Sequence, residues 1–120
     1  MARRDLTGAV DFAHLEAYVG NAPDVVEEVL VIFLEQAAMW RRMLDPAGEA
    51  GLWRDGAHTL KGAALGIGAN ALAGTCGEAE TRWQENAGMK AVLLDRLTGA
   101  LDQVTLDIAA YRHEQALKAL

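Results

Sequence analysis

The chain has 120 residues, which is enough for one domain with a stable hydrophobic core. Hydrophobic residues make up 52% of it and charged residues 23%, a composition typical of globular proteins and not of disordered chains. Acidic residues outnumber basic ones by 17 to 11, giving a net charge of −6, so we expect no nucleic-acid partner.

The sequence also predicts the cellular location. No apolar run is long enough for a membrane span, and residues 1–20 lack the continuous apolar segment of a signal peptide. The single cysteine, Cys76, excludes an internal disulfide and suits a reducing compartment. We therefore predict a cytoplasmic protein that does not bind membranes.

The predicted secondary structure is helical throughout. Ala and Leu dominate the apolar residues, which favours helices over sheets. Clusters of Gly, Asn and Pro divide the chain into five segments, and the predicted helices cover residues about 9–19, 23–44, 49–66, 69–86 and 89–118. This pattern predicts an all-α domain over residues 1–120, an antiparallel up-down four-helix bundle with a short N-terminal covering helix.

Each long helix has an apolar stripe at the spacing of a buried helix face. The second helix carries Val26, Leu30, Phe33 and Ala37, and the fourth carries Leu72, Cys76 and Ala79 with Trp83 one turn further. We interpret Cys76 as a small core residue and not as a reactive thiol. A second stripe on the second helix, with Val25, Ile32, Met39 and Met43, fits a wide core face and a partner surface equally well.

The third predicted helix has an unusual polar side. At 100° per residue its apolar residues form one arc, comprising Trp53, Ala57, Leu60, Ala64 and Ile67. His58 points away from that arc, and five residues lie within about 60° of it, namely Arg54, Asp55, Lys61, Gly62 and Leu65. Gly62 costs about 0.5–1 kcal/mol in a helix interior, so a benefit should offset it. The missing side chain leaves space for another protein to approach the imidazole.

The residues His58-Thr59-Leu60-Lys61-Gly62, followed by Gly68 ten positions after the histidine, resemble the signature of histidine-containing phosphotransfer (HPt) domains. The similarity extends over about residues 9–85 and includes Leu72-x-x-x-Cys76-x-x-x-Glu80. One departure is Ala64, where the family commonly has a small hydroxyl residue. Because Ala64 is predicted to face the core, this difference leaves the implied function intact.

The resemblance implies a histidine phosphotransfer protein in a multistep two-component phosphorelay. His58 would accept a phosphoryl group from an aspartate of a response-regulator receiver domain and pass it to another receiver, and a hybrid histidine kinase would lie upstream. The receiver would supply Mg²⁺, so the chain needs no cofactor or metal of its own. The sequence has no GxxxxGK[ST] loop and no kinase-type Gly-rich loop, so we predict a phosphocarrier without autokinase activity. We also predict that the protein is a monomer.

The chemistry suits the residue types. A neutral imidazole is a nucleophile and later a leaving group, and most of an ordinary histidine is neutral at cytoplasmic pH. Lys61 would stabilise the charge on the phosphoryl oxygens. We assign partner binding to Arg54, Asp55, Gly62, Leu65 and Glu80, and a structural role to Leu60 and Gly68. Glu80 either hydrogen-bonds His58 and orients it or is simply a solvated glutamate.

Two alternatives remain open. One is a helical adaptor without phosphoryl chemistry, which differs in whether His58 accepts a phosphoryl group. The other is a di-metal bundle, because Asp11-x-x-His14 and Asp55-x-x-His58 have the carboxylate–histidine spacing of di-iron bundles. Such ligands must project into the bundle interior, whereas His58 is predicted to point outward beside Lys61.

Overall fold

The computed structural model describes residues 7–120 and, within that range, contains five α-helices and no β-strand. The helices are α1 (Phe12–Tyr18), α2 (Pro23–Arg41), α3 (Ala50–Gly66), α4 (Asn70–Thr81) and α5 (Ala87–Lys118). The predicted all-helical class is therefore confirmed. Helix α3 packs against both α2 and α4, and α4 also packs against α5. Over residues 7–120, no helix combines the length and the apolar character needed to cross a membrane.

Helix α3 contributes the centre of the core. Its five predicted core residues are at most 2% exposed, and they are Trp53, Ala57, Leu60, Ala64 and Ile67. The predicted core residues of α4, Leu72, Cys76 and Ala79, are fully buried as well. The indole N–H of Trp53 donates a buried hydrogen bond to the carbonyl oxygen of Ala79, at 2.8 Å. This bond fixes the position of α4 along α3.

The predicted ends of the first two helices need correction. Helix α1 begins at Phe12 and not near residue 9, because the Asp11 side chain accepts a hydrogen bond from the His14 backbone N–H and caps the helix there. Helix α2 ends at Arg41 and not at residue 44. After Arg41 the backbone N–H groups of Met43 and Leu44 donate to the carbonyls three residues before them, so the α-helix ends in a tighter turn.

The prediction that the fourth helix extends to residue 86 is also wrong. Helix α4 ends at Thr81, and a turn follows in which Arg82 pairs with Glu85. Asn86 then caps α5, since its side chain accepts a hydrogen bond from the Met89 backbone N–H at 2.9 Å. Trp83 consequently lies in the turn and not on α4, and there it is half-buried and packs against the core.

The connection between α3 and α4 requires glycine at position 68. Gly68 has φ +76°, a conformation that side chains other than glycine rarely adopt. A Cβ there would lie 3.1 Å from the Cβ of Asp11, whose backbone N–H donates to the Gly68 carbonyl at 3.0 Å. The turn therefore holds the start of α1 against the end of α3.

Helix α1 is also anchored to α5. The rings of Phe12 and Tyr111 stack with centroids 4.2 Å apart, and the Tyr111 hydroxyl donates to Glu16 at 2.6 Å. Just before the helix, the buried carboxylate of Asp107 accepts hydrogen bonds from the backbone N–H groups of Thr7 and Ala9, each at 3.0 Å. These contacts satisfy the buried carboxylate and fix the chain that leads into α1.

Candidate functional site

His58 stands on the exposed face of α3. Its side chain is 67% exposed, and its Nδ1 atom lies 2.7 Å from Oε2 of Glu80 on α4. An ionised carboxylate only accepts hydrogen bonds, so Nδ1 carries the hydrogen and donates it to Glu80. In the neutral imidazole the lone pair then lies on Nε2. The arrangement leaves a free basic nitrogen on the exposed imidazole.

Glu80 also binds the second residue of the site. Its other oxygen, Oε1, lies 2.7 Å from the Nζ atom of Lys61. The hydrogen bond from the Lys61 ammonium is the main cause that lowers the pKa of the Glu80 carboxyl; desolvation opposes this shift and the His58 contact adds to it. The carboxylate is therefore ionised at neutral pH and bridges His58 to Lys61.

The packing of α3 on α4 explains why Glu80 reaches His58. The Trp53 hydrogen bond holds the carbonyl of Ala79, the residue immediately before Glu80. One turn before Glu80 on α4, a Cβ at Gly77 would lie 3.5 Å from Cδ of Lys61, so the lysine stem passes beside the bare backbone of that glycine. The buried hydrogen bond thus positions Glu80 next to His58, and the small residue Gly77 leaves room for Lys61 to reach the Glu80 carboxylate.

Glu80→Gln should lower the free energy of unfolding at neutral pH by no more than about 1 kcal/mol, because the pair with Lys61 is partly solvated. The pKa of Glu80 is lower in the folded than in the unfolded protein. Its contribution is therefore complete above the ordinary glutamate pKa of about 4.3, and it is lost as the pH falls through the lowered folded value.

Denaturant unfolding of both proteins from pH 7 down to about pH 3.5 measures this difference. The stability difference between wild type and Glu80→Gln should stay constant down to about pH 5 and shrink below that. A difference that stays constant over the whole range would show that Glu80 has an unperturbed carboxyl in the folded protein.

The surface beside His58 is open where the sequence has Gly62. A Cβ at Gly62 would meet no atom within 4 Å, so this glycine does not serve helix packing. Leu65, one turn further along the same face, is 54% exposed, whereas Leu60 is fully buried. The glycine and the exposed leucine together form a low, partly apolar surface next to the imidazole.

Arg54 and Asp55 lie on the other side of His58 along the helix, and both are exposed. Their side chains form a loose ion pair, with 3.6 Å between Nε and Oδ1. The Arg54 guanidinium lies over the ring of Trp83, 4.5 Å from its centroid. Sequence reasoning missed this stack, because it placed Trp83 in the apolar stripe of the fourth helix. The signal for a turn there was the run of Glu85, Asn86 and Gly88 that follows Trp83.

The second apolar stripe of α2 is not absorbed into the core. Val25, Ile32 and Met39 are 41%, 45% and 46% exposed, and only Met43 is half-buried, near Gly56. A groove of about 190 Å³ lies between α2 and α3 on this side. It is lined by Val29, Ile32, Phe33, Gln36, Ala63, Gly66 and Ile67. The face of the molecule next to Gly62 is therefore apolar and partly concave.

The residues of the di-metal alternative do not come together. The Asp11 side chain is engaged in capping α1, while Asp55 forms its ion pair with Arg54. His58 points outward toward Glu80 and Lys61. Across residues 7–120, no group of three or more His, Cys, Asp or Glu side chains is placed to hold a metal ion.

Cys76 lies in the core beneath the site. Burial raises the pKa of its thiol to about 12, although the hydrogen bond with Thr75 and the charge of Lys61 oppose the shift. A thiol with such a pKa is almost wholly protonated at neutral pH and is a poor nucleophile. This placement agrees with the predicted structural role of the cysteine.

The comparisons with known proteins identify the family. The family model of the Hpt domain matches residues 15–110. A crystal structure of histidine phosphotransferase ShpA from Caulobacter crescentus is 48% identical, with a TM-score of 0.77, and the match covers 93% of this chain and 98% of that one. A search of curated proteins gave no match.

The chain therefore belongs to the Hpt domain family. Its role is histidine phosphotransfer in a phosphorelay, as the motif around His58 predicted. Hpt domains are phosphocarriers and not kinases, and they act together with receiver domains and kinases of two-component systems.

Proposed function

We propose that His58 is the residue that carries the phosphoryl group. The observation that supports this most strongly is the 2.7 Å hydrogen bond from Nδ1 to Glu80, which leaves Nε2 of an exposed imidazole as the nucleophile. The Nε2 lone pair attacks the phosphorus of an aspartyl phosphate on a receiver domain. The new P–N bond forms as the P–O bond to the aspartate breaks, and the aspartate leaves as a carboxylate. The reverse sequence passes the group to a second receiver.

Glu80 acts as a positioning residue in this proposal. The imidazole becomes positively charged as Nε2 forms its bond to phosphorus, and the carboxylate beside Nδ1 stabilises that charge. Because Glu80 is ionised, it also holds the imidazole in the tautomer that reacts. The group does not contact the phosphorus and acts through the histidine.

Lys61 supplies positive charge to the phosphoryl oxygens. In the unphosphorylated protein its ammonium is 2.7 Å from Glu80, and its flexible stem allows it to turn toward a group on Nε2. The carboxylate thus keeps the lysine within one helical turn of the reacting nitrogen. Charge stabilisation of this kind favours phosphoryl transfer.

Lys61→Ala should slow transfer from a charged receiver, or shorten the lifetime of the phosphorylated protein, because one cation is lost. The free energy of unfolding should change by less than about 1 kcal/mol, since the ion pair is partly solvated. Rapid-quench transfer assays and denaturant unfolding measure the two effects, with Lys118→Ala at the exposed end of α5 as control. A markedly unstable variant with normal transfer per folded molecule would assign Lys61 to folding instead.

We propose that receiver domains bind the face that carries His58 and Gly62. Arg54, Asp55 and Leu65 are exposed on it, and the groove between α2 and α3 adjoins it. The partly exposed side chains of Val25, Ile32 and Met39 extend this surface along α2. An apolar area next to the reacting group suits a protein partner that must hold its own aspartate against Nε2.

The other parts of the proposal come from the resemblance to Hpt domains and from the sequence. The receiver supplies the aspartate and Mg²⁺, this chain forms no phosphohistidine from ATP, a hybrid histidine kinase lies upstream, and the carrier is a monomer. We also infer that residues 1–120 form one domain in which α2 to α5 run antiparallel. For α3 and α4, two contacts support this direction: Lys61 lies beside Gly77 of α4, whereas Arg54, earlier in α3, lies beside Trp83 in the turn after α4.

The experiment is a reconstituted relay. A receiver domain charged with acetyl phosphate is separated from the donor, mixed with this protein, and followed by a second receiver. The phosphoryl group should move onto this chain as an acid-labile, base-stable adduct and then to the second receiver. A protein that stays unlabelled with every receiver of its own organism, or that gives an acid-stable adduct, would refute the proposal.

A further inference from the structure

Arg54 differs from the other cation of the site in how it is held. The Lys61 ammonium forms a short ion pair with Glu80, so its charge is neutralised. The Arg54 guanidinium rests on the face of Trp83, and its ion pair with Asp55 is 3.6 Å long, beyond hydrogen-bonding distance. The face of an aromatic ring attracts the guanidinium as a cation. It accepts none of the hydrogen bonds from the N–H groups, which point outward in the guanidinium plane. Those donors therefore stay available to an incoming anion.

The position of Arg54 places it within reach of a group on His58. The two residues are four apart on α3, so their Cβ atoms are neighbours at about 5–6 Å. Both side chains are exposed, and Asp55 on the same face holds Arg54 only through the loose 3.6 Å ion pair. Lys61 lies one turn after the histidine, and Arg54 lies one turn before it. The phosphoryl oxygens of a modified His58 would thus lie between two cations.

We propose that Arg54 is a second ligand of the phosphoryl group on His58 and that Trp83 is its resting place in the unphosphorylated protein. On phosphorylation the guanidinium leaves the indole and donates its N–H groups to the phosphoryl oxygens. A guanidinium presents a planar pair of donors that matches two oxygens of such a group. This inference rests on the proposed phosphorylation of His58.

The contact has a consequence for the lifetime of the phosphorylated protein. In hydrolysis the P–N bond breaks as water supplies the new P–O bond; the imidazole leaves with its hydrogen on Nδ1 and the lone pair on Nε2, and both hydrogens of the water leave with the inorganic phosphate. The N–H groups of Arg54 stabilise the bound phosphoryl group through charge-assisted hydrogen bonds and cover part of the approach of water to phosphorus. Removing Arg54 should therefore speed hydrolysis.

The test uses the full chain without any receiver. Phosphoramidate phosphorylates the histidine directly, because its own P–N bond breaks and ammonia leaves as the bond to Nε2 forms. After removal of the donor, loss of the phosphoryl group is followed over time in wild type, Arg54→Gln and Arg54→Lys. Arg96→Gln, at an exposed arginine of α5 paired with Glu78, is the matched control.

A second readout reports on Trp83 itself. The three tryptophans give three indole N–H signals in a ¹H–¹⁵N spectrum, and a Trp83→Phe variant assigns the one from Trp83. Phosphorylation of the wild type should shift this signal as the guanidinium leaves the ring. The shift should be absent in Arg54→Gln, in which the ring has no cation to lose.

We expect Arg54→Gln to shorten the lifetime of the phosphorylated protein at least threefold, Arg54→Lys to recover part of it, and Arg96→Gln to match wild type. An unchanged lifetime together with an unmoved Trp83 signal would overturn the role of Arg54 and leave the phosphorylation of His58 standing. Slower transfer from a receiver with an unchanged lifetime would assign Arg54 to the receiver and also overturn the inference. A wild type that takes up no phosphoryl group at His58 would refute the proposed function itself.

Discussion

A His58→Gln variant is expected to accept no phosphoryl group from a charged receiver, while its fold and stability stay close to those of the wild type. Glutamine has no nucleophilic ring nitrogen, so the P–N bond cannot form. The side chain is 67% exposed, and exposed substitutions usually change the free energy of unfolding by no more than about 0.5 kcal/mol. Transfer of a radiolabelled phosphoryl group and circular dichroism measure the two effects.

The chain offers matched controls for this substitution. His14 and His113 are the two other histidines of the chain, and both are exposed. His14→Gln and His113→Gln should accept the phosphoryl group at the wild-type rate. Label that persists in His58→Gln, or that disappears in one of the controls, would move the phosphorylated position to another residue.

Gly62→Gln is expected to slow phosphoryl transfer by about a hundredfold, since a displacement of about 1 Å from the reactive geometry has an effect of that order. The new side chain would stand one turn from His58, where the receiver must bring its aspartate to the imidazole. The free energy of unfolding should not fall and should rise by about 0.5–1 kcal/mol, because a helical glycine with open space around it is replaced by a better helix former.

Gly99→Gln is the control for the change in stability. Gly99 is also an exposed glycine inside a helix, and a Cβ there would meet no atom within 4 Å, but it lies on α5. Both variants should melt at or above the wild-type temperature, and only Gly62→Gln should transfer slowly. Lower stability with normal transfer in Gly62→Gln would mean that the glycine serves packing and not access to the histidine.

The faces of α3 were predictable because they depend on the helical period alone. All five residues of the predicted arc of α3 are buried, and His58 and Gly62 lie on the opposite, exposed face. The family motif added the chemistry, since exposure by itself does not separate a reactive histidine from a solvated one. These features depend on residues close together in the sequence.

Contacts between helices were less predictable, because they depend on how far one helix is shifted along another. Glu80 lies 22 residues after His58, and its approach depends on the buried Trp53–Ala79 hydrogen bond, which no local spacing reveals. The sequence therefore left open whether Glu80 is solvated or bound to the histidine. The end of α4 was misplaced for a related reason, because Asn86 caps the next helix and draws Trp83 into the turn.

In the proposed mechanism, Glu80 holds Nδ1 of His58 so that Nε2 receives the phosphoryl group. NMR spectroscopy of the ¹⁵N-histidine-labelled protein, phosphorylated by a charged receiver, distinguishes the two nitrogens through their couplings to phosphorus and their chemical shifts. We expect phosphorus on Nε2 of His58 and a hydrogen retained on Nδ1. A phosphoryl group on Nδ1, or on any residue other than His58, would contradict this mechanism.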